Sequence, residues 1–66
     1  MRVTINGNAH EHAGDRTVAG LLAELGADPR SVAVTVNGQI VAREQRASVL
    51  LREDDQIEIF KLMGGG

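Results

Sequence analysis

Cysteine, tryptophan and tyrosine are absent from this 66-residue sequence, and one phenylalanine is its only aromatic residue. Without cysteine the chain can form no disulfide, no thiolate nucleophile and no cysteine-ligated zinc or iron–sulfur site. A net charge of -2 and a single aromatic ring also leave it without the basic stripe and stacking platforms that nucleic-acid-binding proteins use. We therefore expect no nucleic-acid partner.

Long hydrophobic runs are absent as well. Residues 1–6 alternate apolar and polar side chains instead of forming the apolar segment of a signal peptide, and no stretch approaches the roughly 20 apolar residues of a membrane span. We therefore expect a cytoplasmic protein that does not bind a membrane. The length suits one domain, which we place at residues 1–63 with a separate flexible tail at 64–66.

Strand patterns account for most of the remaining sequence. Each of two Asn-Gly pairs, Asn6-Gly7 and Asn37-Gly38, follows an alternating apolar segment, and this dipeptide suits the positive φ angles of a two-residue hairpin turn. A further alternating segment precedes the glycine-rich end. The predicted strands are residues 1–6, 8–12, 32–36, 39–42 and 57–62.

One short helix is predicted between the two hairpins. Thr17 is a good N-cap, and an apolar stripe follows at helical spacing, formed by Val18, Leu21, Leu22 and Leu25. Gly20 weakens this helix by about 1 kcal/mol relative to alanine, and Gly26 stands where a C-terminal glycine belongs. A helix over Val18 to Leu25 is too short to persist alone, so it must pack on a sheet.

The element order is two strands, one helix, two strands, a polar segment at 43–48 that can hold a single helical turn, and a last strand. One apolar helix stripe and two hairpins predict an α+β fold in which the helix crosses a mixed sheet of four to five strands. The first and last strands have the clearest patterns and should both lie inside the sheet. This arrangement is the β-grasp, or ubiquitin-like, fold.

Candidate catalytic and metal-binding residues are few. His10 and His12 share one strand face, but a metal site needs a third ligand and Glu11 points the other way, so we interpret the pair as a solvent-exposed edge. The acidic residues 53–55 and Glu58 lack the spacing of a calcium loop and are interpreted as a solvated turn. No nucleotide-binding glycine pattern and no nucleophile–base pair is visible. We expect a non-enzyme that binds no metal or cofactor by itself.

The three terminal glycines, Gly64, Gly65 and Gly66, cannot end a strand or cap a helix in the usual way, because nothing follows them. Two interpretations stay open from the residues alone. The segment is an inert frayed end or an addition from cloning, or it is a thin arm that carries a reactive carboxylate into another protein's active site. Without Cβ atoms such an arm can pass through a narrow channel, and three extended residues reach about 10 Å.

The order and spacing of these segments resemble the ThiS family of prokaryotic sulfur carriers. Ala42 departs from the pattern, since the family often has proline there, and this affects only a loop. The segments that carry the resemblance are residues 3–7, 17–22, 34–43, 54–59 and 64–66.

The resemblance implies a function for the tail. An E1-like adenylyltransferase of the ThiF type would activate the Gly66 carboxylate with ATP, and a sulfurtransferase or cysteine desulfurase would supply sulfur to form a thiocarboxylate. A thiazole synthase of the ThiG type would then receive the sulfur during thiamin biosynthesis. Two alternatives remain: sulfur carriage to molybdopterin, tRNA thiolation or cysteine synthesis, and a ubiquitin-like binding module that carries no sulfur.

A partner-docking surface is predicted from strand alternation. If Ile57 and Ile59 face the helix, alternate residues of the last strand face away and surround the root of the tail. An exposed aromatic ring beside a reactive arm favours docking, whereas a strong strand twist would instead bury Phe60 against residues 50–51. The predicted docking residues are Ala33, Thr35, Glu58, Phe60 and Leu62.

Overall fold

A single α-helix lies across one face of a five-stranded mixed sheet in the computed structural model, which describes residues 1–62. A 3-10 turn at Arg43–Gln45 lies within the segment where a helical turn was predicted. The element order and the α+β, β-grasp architecture confirm the prediction. The elements are β1 Arg2–Ile5, β2 Asn8–Glu11, α1 Val18–Glu24, β3 Val32–Val36, β4 Gln39–Ile40 and β5 Gln56–Lys61.

The strand order across the sheet is β2-β1-β5-β3-β4, so β1 and β5 are both internal, as predicted. β5 runs parallel to β1, with Ile5 beside Ile57, and antiparallel to β3, with Val32 beside Lys61 and Val36 beside Ile57. β1–β2 and β3–β4 are the two antiparallel hairpins. The strand that leads to the glycine tail is therefore the centre of the sheet.

The core lies between α1 and the sheet. Val3, Val34 and Ile57 from the three inner strands are almost fully buried, as are the larger apolar residues of α1. A seven-residue helix is marginal in water, so this burial is what stabilises it. The buried apolar set is Val3, Val18, Leu21, Leu22, Val32, Val34, Val41, Leu51 and Ile57.

The start of α1 explains why residue 20 is glycine. Thr17 caps the helix by accepting a hydrogen bond from the Gly20 amide at 2.9 Å. Asp15 in turn accepts bonds from the Thr17 amide at 3.0 Å and hydroxyl at 2.7 Å. A Cβ at position 20 would collide with that Asp15 carboxylate. Gly20 therefore makes room for the cap in addition to weakening the helix.

The end of α1 differs from the prediction by one residue. The helix ends at Glu24, and Leu25 is the C-cap, with 39% of its surface exposed. Gly26 has a φ of 70°, and the Ala27 amide donates to the Leu22 carbonyl at 3.0 Å, which closes the helix in a Schellman motif. Extending the helix and its apolar stripe to Leu25 was wrong, because the chain turns at Gly26 and leaves Leu25 as an exposed C-cap.

Three strands are shorter than predicted. β1 spans Arg2–Ile5 rather than residues 1–6. β4 has two residues rather than four. The Val41 amide still donates to the Val34 carbonyl at 2.9 Å and its buried side chain joins the core, but the chain then leaves the sheet, with Ala42 as the N-cap of the 3-10 turn. β2 ends at Glu11 rather than His12. Across residues 1–62 the structure contains no helix that is both long enough and apolar enough to cross a bilayer.

Candidate functional site

The predicted tail residues Gly64, Gly65 and Gly66 lie outside the described part of the chain, and so does the boundary predicted at residue 63. Leu62 is the last described residue. Its amide donates to the Ser31 carbonyl at 2.8 Å, so the backbone of the central strand stays attached to the segment before β3 up to this point. The root of the tail is therefore at the Val32 end of β3.

The five predicted docking residues lie on the sheet face opposite α1. Thr35 pairs with Glu58 and Ala33 with Phe60 across β3 and β5, and the Thr35 hydroxyl donates to Glu58 Oε1 at 3.2 Å. Phe60 is 49% exposed and Leu62 is 55% exposed. The alternative, burial of Phe60 by strand twist, is not what the structure shows. That these residues dock a partner remains a prediction.

Ile40 belongs to the same face and was missed in the sequence. It pairs with Thr35 across β3 and β4 and is 78% exposed. The Asn37-Gly38 turn contains the signal that could have found it, since a two-residue hairpin fixes which residues pair. We call the set Ala33, Thr35, Ile40, Glu58, Phe60 and Leu62 the open face.

Both turn asparagines also bind the backbone of β5. Asn6 donates from Nδ2 to the Ile59 carbonyl at 3.2 Å and accepts from the Ile59 amide at 2.9 Å. Asn37 accepts from the Gln56 amide at 2.9 Å. Asn6 follows β1 and Asn37 follows β3, so the two side chains bind β5 from both of its neighbouring strands. The sequence indicated only the turn-forming role of these residues.

Interpreting the histidine pair as a solvent-exposed edge was wrong. The His12 side chain is fully buried, and its Nε2 accepts a hydrogen bond from the Arg16 amide at 2.9 Å. Since Nε2 is an acceptor, the proton is on Nδ1, which donates to Glu24 Oε1 at 2.9 Å. His10 Nε2 reaches the same oxygen at 2.8 Å, and the Ala13 amide donates to Glu24 Oε2 at 2.8 Å.

This His10–His12–Glu24 cluster is structural. His12 has no ring nitrogen with a lone pair free for a metal, because one is protonated and the other already accepts a bond. Nor do residues 1–62 contain a group of three or more ligating side chains that could hold a metal ion. The bond from His10, followed by those from Ala13 and His12, lowers the pKa of Glu24 to about 2. The carboxylate thus attaches the end of α1 to β2 and the loop that follows.

The acidic residues 53–55 were interpreted as a solvated turn, and this is wrong for Asp55. Asp55 is buried, and it accepts bonds from the Arg52 amide at 2.8 Å and from Asn37 Nδ2 at 2.9 Å. Glu53 and Asp54 are exposed, as expected for a solvated turn. The buried Asp55 carboxylate therefore stabilises the turn before β5 through these two hydrogen bonds.

The amino-acid sequence is similar to those of known thiazole synthases and of a sulfur carrier protein. The chain is 42% identical to a thiazole synthase of Magnetococcus marinus and 41% identical to one of Paramagnetospirillum magneticum, and it spans 20% of the length of each. It is 36% identical to the sulfur carrier protein ThiS of Escherichia coli, over the full length of both.

Solved structures show the same likeness. The crystal structure of the thiamine biosynthesis protein ThiS from Geobacter metallireducens superposes with a TM-score of 0.84 at 32% identity, covering all of both chains. The family model for ThiS matches residues 3–66, which includes the three glycines. The chain therefore belongs to the ThiS family.

Proposed function

We propose that this protein is a sulfur carrier for thiamin biosynthesis and that the Gly66 carboxylate carries the sulfur. The observation that carries the proposal is the ThiS family match, which extends through the glycine tail to residue 66. The Escherichia coli relative is named a sulfur carrier. Two further relatives that contain a similar stretch are named thiazole synthases, which favours thiazole formation over other sulfur-requiring pathways.

The chemistry begins with a carboxylate that is a poor electrophile. An E1-like adenylyltransferase of the ThiF type joins it to the AMP portion of ATP and releases pyrophosphate. A persulfide from a sulfurtransferase or cysteine desulfurase displaces AMP, and a thiol cleaves the resulting S–S bond to leave the thiocarboxylate. A ThiG-type thiazole synthase then takes the sulfur. The carrier is a co-substrate in these steps and not a catalyst, and ATP binds to the activating enzyme.

The described residues support this role in two ways. The strand before the tail is the central strand of the sheet, and the side chains of Asn6 and Asn37 add hydrogen bonds to its backbone. The open face leaves Ile40, Phe60 and Leu62 exposed, and several exposed apolar residues on one face favour a protein partner. A rigid base and an adjacent docking face are what an enzyme needs to direct the tail.

The intact mass of the protein from its native host tests the carrier chemistry. We expect a fraction with sulfur in place of one oxygen, which disappears when the adenylyltransferase is deleted. Removing Gly66 shortens the tail by about 3.5 Å and should abolish both the mass shift and thiamin-independent growth. A wild-type protein without the shift, or a Gly66 deletion that still supports growth, refutes the proposal.

The docking role of the open face needs a separate test. We expect Phe60→Ala to weaken binding to the adenylyltransferase about tenfold or more, since aromatic anchors contribute strongly to interfaces. Leu50→Ala is the matched control, because Leu50 is also exposed and is not part of the open face. Equal affinities of the Phe60 variant and the wild type would show that the open face is not the docking surface.

A further inference from the structure

Four of the seven basic residues lie at the end of the sheet where the tail begins. Lys61 pairs with Val32, whose carbonyl accepts a bond from Arg46 Nη2 at 2.7 Å. Arg43 Nη2 donates to the Arg30 carbonyl at 3.3 Å. We call Arg30, Arg43, Arg46 and Lys61 the basic patch. It forms in a chain whose net charge is -2, so positive charge is concentrated beside the tail root.

Arg46 contributes a buried charge to this patch. Its guanidinium donates to the carbonyls of Pro29 at 2.6 Å and Val32 at 2.7 Å, and its Nε has no hydrogen-bond partner within residues 1–62. Both carbonyl acceptors are neutral, so they satisfy the N–H groups of Arg46 but leave the positive charge of its guanidinium unbalanced. A buried cation in this state favours an anion brought close to it.

A groove of about 230 Å³ lies next to Arg46. Its wall is apolar, with small side chains from α1 on one side and Pro29 and Ala47 on the other. Arg43 and Arg46 supply the polar part of the lining, and no carboxylate lines it among the described residues. The shape suits an apolar side chain, and the charge suits acidic neighbours on the same segment.

One carboxylate offsets part of the patch. Asp28 lies 3.8 Å from Arg30 Nε, and its pKa is lowered mainly by the Arg30 amide and the Ser31 hydroxyl. Within residues 1–62, Arg43, Arg46 and Lys61 have no carboxylate at salt-bridge distance. Arg30, Arg43 and Lys61 are exposed, so a partner can reach their charges.

The patch and the open face lie on opposite sides of the tail root. Lys61 alternates with Phe60 along β5 and continues the row of Ile57 and Ile59, which faces α1. An enzyme that encloses the tail must therefore approach both sides. We propose that the basic patch and its groove bind an acidic segment of the adenylyltransferase, with an apolar side chain of that segment in the groove. This inference rests on the proposed carrier function.

The test is carrier-dependent ATP–pyrophosphate exchange by the purified adenylyltransferase. The variant combines Arg30→Glu, Arg43→Glu and Lys61→Glu, which are all exposed positions. Arg46 is left in place, because its side chain is buried and donates to two backbone carbonyls. We expect the KM for the carrier to rise about tenfold at low salt with kcat unchanged, and the difference to shrink at about 0.5 M salt, where the screening length falls to a few ångströms. Arg52→Glu is the control. Arg52 lies in the turn before β5, which is bonded to Asn37 through Asp55 at the opposite end of the sheet from the tail root.

The groove is tested by Ala23→Leu, which fills it from an exposed helix position and should also raise the KM. A triple variant with wild-type KM, a rise that salt does not reduce, or an equal rise in Arg52→Glu overturns the inference. These outcomes are distinct from failure of the carrier function, in which the wild type itself would support no exchange and acquire no sulfur.

Discussion

His12→Ala should destabilise the domain far more than His10→Ala. The His12 ring is fully buried and makes two hydrogen bonds, one to Glu24 and one from the Arg16 amide. His10 is partly exposed, and within residues 1–62 the bond to Glu24 is the only hydrogen bond of its ring. The two histidines are two residues apart and share a partner, so they form a matched pair.

The magnitude follows from the bonds lost. An ordinary hydrogen bond contributes about 1 kcal/mol, and a buried amide left without a partner, here that of Arg16, costs about 1–3 kcal/mol. The loss on His12→Ala is therefore about 2–4 kcal/mol, a large part of the roughly 3–10 kcal/mol expected for a domain of this length. Since 1 kcal/mol corresponds to about 4–8 °C in a small domain, Tm should fall by about 10 °C or more.

Thermal and urea unfolding followed by circular dichroism measure the effect. His12→Asn keeps a donor near the Nδ1 position for Glu24, and His12→Gln keeps an acceptor near the Nε2 position for Arg16, so each should recover part of the loss. If His12→Ala melts within about 2 °C of the wild type, or if neither amide variant recovers stability, the cluster does not hold α1 to β2 as argued.

Two further predictions concern neighbouring carboxylates. The pKa of Glu24 is about 2 against an ordinary 4.5, so its charged form stabilises the fold above pH 4.5 and this contribution is lost as pH falls toward 2. Over that pH range the Tm of Glu24→Gln should therefore fall less steeply than the Tm of the wild type. Parallel plots of Tm against pH would contradict the lowered pKa of Glu24. Gly20→Ala should give none of the roughly 1 kcal/mol gain in stability expected from helix propensity, because the new methyl group displaces Asp15 from Thr17. NMR titration should show the lowered pKa of Asp15 moving up toward its ordinary value. A more stable variant in which the pKa of Asp15 is unchanged would refute the steric argument.

The architecture was predictable because its signals are local. Alternation specified the faces of β1, β3 and β5, and the two Asn-Gly pairs specified the hairpins that join β1 to β2 and β3 to β4. The open face followed from the same alternation, including the exposure of Phe60 and Leu62. The position of Ile40 on the open face could also have been predicted, because the register of the second hairpin pairs Ile40 with Thr35.

The buried polar residues were not predictable in the same way. His12 and Asp55 stand in polar segments that are typical of exposed turns. Each has one partner far along the chain: Glu24 is 12 residues from His12, and Asn37 is 18 residues from Asp55. Arg46 likewise donates to a carbonyl 17 residues away. A polar side chain is buried only where such partners satisfy it, and strand or helix periodicity does not report them.

The sequence by itself determined the elements and their order, because turn residues, capping residues and hydrophobic periods act over a few positions. The tertiary structure decided which polar side chains enter the interior and how charge is distributed around the tail root. Val32 shows the reason: Lys61 pairs with it and Arg46 donates to its carbonyl, although these residues are 29 and 14 positions away in the chain. Their proximity exists only after β3 and β5 have paired.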